Sequence, residues 1–121
     1  PTINLEDALA LQRELLKGFG DAAFQQRLGD LRRTLLPHNQ RKYNVEKGKV
    51  VLQVQLQILP RYGFAASMKG VMEMLSAFEQ PALQGHEEFG QNGWALAQLL
   101  EGEGAAAQAV ELPRAPPSTD E

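Results

Sequence analysis

The side chains best suited to chemistry in this sequence are cationic and sit in its middle: Arg32, Arg33, Arg41, Lys42, Lys47, Lys49 and Arg61, with Tyr43 and Tyr62 among them. Arginine with interleaved aromatics has the composition of a phosphate-contacting, base-stacking surface. It is equally the composition of a protein interface, where Tyr and Arg are enriched. Residues 27–69 carry nine basic side chains against two acidic ones, Asp30 and Glu46. Residues 70–121 carry one basic side chain, Arg114, against nine acidic ones. Such segregation points to an anionic partner for the middle of the chain and a solvating or self-masking role for its end. The whole chain is nevertheless acidic, with net charge −3 and a pI near 5.4, and it has no ribonucleoprotein aromatic motif, KH-type loop or zinc finger. Protein binding is therefore the first reading, and nucleic-acid or phosphate binding by residues 27–69 the alternative.

Other chemistries find no support. The sequence His86-Glu87-Glu88 lacks the second histidine, four residues away, of a metalloprotease helix, and His38 lies in a polar stretch after Pro37. Gly18 and Gly20 lack the preceding strand of a dinucleotide loop. Ser67, Ser76 and Ser118 have no nucleophile-elbow context. Glu87 and Glu88 are adjacent, so on a helix they do not face each other. There is no cysteine, which removes disulfides, thiol catalysis and cysteine zinc sites together. No enzyme activity, cofactor or metal is expected.

The elements that must position the basic centre follow from periodicity. Asn4 caps a first helix that ends near Lys17, and Asp21 caps a second in which Phe24, Leu28, Leu31 and Leu35 form one apolar stripe up to Pro37. Their short link predicts an antiparallel N-terminal helical hairpin. Residues 65–79 predict a helix with Met68, Val71, Met72, Leu75 and Phe78 on its core face and Met74 off it. Asn92 is read as the cap of a final short helix carrying Trp94, a core anchor, with Leu96, Leu99 and Leu100.

Between these helices lies the decisive segment. Val50, Leu52, Val54, Leu56 and Ile58 share one parity, and Gln53, Gln55 and Gln57 the other. A period of two is that of a half-buried strand, and the β-branched residues fit a pleated surface. A hairpin over residues 41–59, turning at Glu46–Lys49, is thus expected, with residues 108–112 a weaker second strand candidate. The alternative is a helix over 44–59, ended by Pro60.

These readings give a helix-dominated α+β domain over residues 1–101, followed by an acidic, Pro-rich tail, 102–121, too poor in apolar residues to order itself. The fold alternative is an all-α bundle with 44–59 as its central helix. The strand would leave an unpaired edge, a template for self-association or for a partner's strand, with Gln53, Gln55 and Gln57 on its uncharged face. The expected function is a non-enzymatic adaptor or assembly factor. No apolar run reaches the roughly 18 residues of a membrane span, and PTINLEDALAL is not a secretory signal. An intracellular, soluble protein is the expectation.

Overall fold

A computed structural model of the chain describes the backbone of residues 2–109 and the side chains of residues 2–101. Its helices are α1 (Leu5–Phe19), α2 (Ala22–Leu35), α3 (Gln40–Ile58), α4 (Met68–Phe78), α5 (Pro81–Gln84) and α6 (Glu87–Ala109), with a 3-10 turn at Leu59–Tyr62. Among the described residues there is no strand, so the fold is all-α and the α+β expectation is overturned. The central β-hairpin and its open edge go with it. Residues 102–109 continue α6 as backbone, and 110–121, with most of the expected tail and of the second strand candidate, lie outside the described residues.

Residues 40–58 are helical for reasons the alternation concealed. Asn39 caps α3, its side chain accepting from Lys42 N at 3.0 Å. Val50, Val54 and Ile58 are spaced by four, and four is an even number, so one helical row also obeys strand parity. The odd-numbered residues discriminate. Val51 packs against the core, whereas Gln53 and Gln57, one turn apart, share an exposed face. Pro60 lacks an N–H and ends the α-helix in the 3-10 turn, which closes at Gly63 with φ 87°. Burial on several sides of α3 offsets the poor helix propensity of its valines and of Gly48.

The two early caps are as expected. Asn4 accepts from Asp7 N at 2.7 Å, and Asp21 from Ala23 N at 3.0 Å. The N-terminal hairpin is not. α1 and α2 meet mainly at their junction, where the Phe19 and Phe24 rings lie 5.2 Å apart. The long pairings are α1 with α6 and α2 with α3, the latter joined by the turn at 36–39. α1 also crosses α3, and Gly18 permits this, because a Cβ there would stand 2.7 Å from Val54 Cγ1.

The core lies between these layers and contains Leu11, Leu15, Phe19, Leu28, Leu59, Met74, Leu83 and Phe89, all essentially solvent-free. Each fully buried side chain of this size contributes about 1.5–3 kcal/mol. Phe78 and Phe89 tie α4 to α6 edge to face, with centroids 5.1 Å apart. α6 begins at Glu87, so Asn92 lies inside it and is not its cap.

α4 is turned relative to expectation. Its buried row is Val71, Met74 and Ala77, while Met68, Met72 and Leu75 are 55%, 58% and 46% exposed. The sequence carries two adjacent apolar rows at helical spacing, and only the neighbours of α4 decide which is inward. Leu75→Ala should therefore cost under about 0.5 kcal/mol in urea unfolding, the range of a surface substitution. A loss of several kcal/mol would place Leu75 in the core.

Candidate functional site

Two surfaces stand out. The first is an open groove of about 680 Å³ between the C-terminal half of α1, the start of α2 and the C-terminal half of α3. Val50, Val54, Ile58 and Phe24 contribute its apolar lining, and Glu14, Lys17, Asp21, Arg27, Gln53, Gln57 and Arg61 its polar one. The acidic side chains there are engaged within the chain. Glu14 pairs with Arg61 at 2.6 Å and accepts from the Tyr62 hydroxyl at 2.5 Å. Asp21 accepts from the α2 backbone. Arg27 donates to Gln53 Oε1 at 3.2 Å, which holds its guanidinium without neutralising it. Lys17 and Gln57 have no polar partner among the described residues.

The second surface is the outward face of α4, where Met68, Met72 and Leu75 recur at i, i+4 and i+7. Lys69 and Glu73, 3.9 Å apart, share the helix with it.

The basic centre read from the sequence does not converge. Arg41 and Lys42 are exposed in the first turn of α3, next to the α2 end that carries Arg32 and Arg33. Arg61 and Tyr62 follow the opposite end of α3, roughly 28 Å along its axis. Arg33 is paired with Asp30, and Lys49 with Glu46 at 3.2 Å. Arg32 is half-buried, and its Nη2 has no hydrogen-bond partner among the described residues. Tyr43 is 5% exposed, with the Lys47 ammonium 5.8 Å from its ring centre. Lys47 in turn pairs with Glu101 of α6 at 3.0 Å. Lys47 thus links α3 to α6, and the buried Tyr43 ring is not a free surface. Gln55 is partly buried and lies outside the groove that Gln53 and Gln57 line.

Tyr62 holds its hydroxyl proton more tightly than a free tyrosine does. Partial burial, its hydrogen bond to Glu14 and the Glu14 charge push its pKa from 10.0 up to about 12. The folded state thus favours the neutral phenol. That stabilisation is complete below pH 10 and is lost as pH rises through about 12. Ultraviolet titration should show Tyr62 ionising well above pH 10, and Glu14→Gln should lower its pKa. An unaltered titration in Glu14→Gln would exclude the contact.

Lys17 and the outward α4 face were missed by the sequence reading, and Arg27 was included only as part of the basic segment 27–69. Lys17 and Arg27 lie on α1 and α2, far in sequence from Gln53 and Gln57, so their approach to those glutamines has no local signal. The spacing of the two glutamines by four was the available clue. Among the described residues no cluster of three or more His, Asp or Glu side chains is placed to hold a metal, and no helix is long and apolar enough to cross a membrane. Comparison of the chain with protein-family models, curated proteins and solved structures finds no match.

Proposed function

We propose that the protein is a non-enzymatic interaction module, an adaptor or assembly factor, that binds another protein through the outward face of α4. The observation that carries this is the exposure of Met68, Met72 and Leu75 in one row. Single exposed apolar residues are ordinary, but a contiguous row on one helix face is an association surface. Methionine suits it, because its flexible thioether chain adapts to a partner's contour. The protein-binding reading of the sequence is kept, with a helix face in place of the strand edge.

The test is the triple variant Met68→Ser, Met72→Ser, Leu75→Ser. It should keep its helical circular dichroism and melting temperature and lose the proteins that co-purify with the parent chain. Identical co-purification would overturn the assignment. The second reading, nucleic-acid or phosphate binding, has in its favour that Arg41 and Lys42 are exposed and have no ion-pair partner among the described residues. Electrophoretic retardation over a salt series separates the two. Phosphate contacts give a log-log salt slope of about −0.9 per phosphate neutralised, and Arg41→Glu with Lys42→Glu would abolish it.

A further inference from the structure

We infer that the groove between α1, α2 and α3 is a second docking site, and that its occupant is an acidic amphipathic helix from a partner protein. The inference shares with the α4 reading only the premise that the chain binds protein.

Charge identifies the occupant. Glu14 is paired with Arg61 and hydrogen-bonded to Tyr62, and Asp21 caps the first turn of α2 but keeps its charge, so the three cations of the groove, Lys17, Arg27 and Arg61, exceed its two acids by one. Lys17 and Arg27 are left as exposed cations without a carboxylate partner among the described residues. Gln53 and Gln57 line the same groove one helical turn apart, and Gln57 is uncommitted. Lys17 and Arg27 fit carboxylates, and the free amide of Gln57 can donate to another. Between the polar groups, half-buried Val54 and the outer edges of Val50, Ile58 and Phe24, each only 5–6% exposed, form a narrow apolar floor on which one row of a helix's side chains would rest.

Shape narrows the choice further. The groove is open to solvent, whereas a small-molecule pocket buries most of its ligand. Three helices with an unfilled trough between them accept a fourth helix by ordinary ridge-into-groove packing. The rim cations would govern association rate and specificity, and the apolar lining the lifetime of the complex.

The test is selection of a displayed library of random 18-residue peptides on the full chain, with the double variant Lys17→Glu, Arg27→Glu as counter-target. Both side chains are exposed, so the variant should melt with the parent. Should it not fold, Gln53→Glu with Gln57→Glu places the same charge on the opposite wall. The recovered peptides should carry Asp or Glu beside an apolar row at helical spacing. They should bind the double variant at least tenfold more weakly and shift the amide resonances of Gly18, Ala23, Gln53 and Gln57 in the parent. They should also bind the Met68→Ser, Met72→Ser, Leu75→Ser variant undiminished, which separates this site from the α4 face. Failure to recover any peptide that distinguishes parent from double variant would overturn the inference, as would recovery of basic peptides. Binding lost in the α4 variant alone would move the peptide site to that helix. Groove resonances that respond to sodium dodecanoate and to no peptide would reassign the groove to a single-chain carboxylate.

Discussion

Gly70→Ala will destabilise the protein by about 2–3 kcal/mol, the cost of forcing atoms into a filled site, although alanine is the better helix former by about 1 kcal/mol. Gly70 is buried in the first turn of α4, where Ser67 Oγ caps its N–H at 3.2 Å. The chain entering the helix lies directly against it. A Cβ on Gly70 would stand 1.8 Å from Ala65 O, 2.7 Å from Ala65 C and 2.9 Å from Ala65 N. These are backbone atoms, so no rotamer change relieves the contact. Either the 65–67 segment or α4 itself must move. Gly48 supplies the control. It also lies inside a helix, but a Cβ there meets nothing within 4 Å. Gly48→Ala should therefore stabilise α3 by about 0.5–1 kcal/mol, the ordinary gain from removing a flexible residue. Urea denaturation of the two variants side by side gives opposite signs if the described packing is right. A stabilised Gly70→Ala would mean that residues 65–67 do not lie against α4.

The contrast between those glycines illustrates what the sequence could and could not convey. Helix existence and caps were local and legible, as at Asn4 and Asp21. The stop at Pro60 was legible too, because proline lacks the N–H that a continuing helix needs. A helix over 44–59 was the alternative and not the first choice, since the even-numbered valines and isoleucine satisfy both periods, and the observed helix starts four residues earlier, at Gln40. Facing was less accessible still. Two apolar rows run along α4, and whether Met74 or Leu75 is buried depends on the elements that pack against it, the Leu59–Tyr62 turn among them. The basic residues were correctly seen as clustered in sequence, but a helix of 19 residues carried Arg41 and Arg61 to opposite ends. Of the candidate interaction residues, Gln53, Gln57 and Arg61 line the groove. Lys17 and Arg27 share it, and their part in it depends on how α1 and α2 are laid against α3.

Gln12→Ala should be among the most damaging substitutions, at about 2–5 kcal/mol, because it combines an internal cavity with broken polar pairing. Gln12 is 1% exposed, the one buried polar side chain among the described residues. Its Nε2 donates to Phe89 O at 3.1 Å, and its Oε1 accepts from Asn92 Nδ2 at 3.2 Å. Both partners belong to α6, so one amide fixes the height of α6 along α1. Sliding either helix by a single turn would leave that amide without partners in a site that water does not reach. Leucine would fill the space but not replace the bonds, so Gln12→Leu should still cost about 1–3 kcal/mol for the polar groups left unpaired. Exposed Gln26→Ala on α2 should cost under about 0.5 kcal/mol and marks the baseline for losing a glutamine. The pairing itself is isolated by a double-mutant cycle of Gln12→Leu with Asn92→Leu, whose coupling should lie at about 0.5–3 kcal/mol. Strict additivity would show that the two amides do not meet. α6 would then be held by apolar packing, the Gln12 bond to Phe89 O, the Arg13–Glu88 pair and the Gln25 bond to Leu99 O, without an amide pair to set its register on α1.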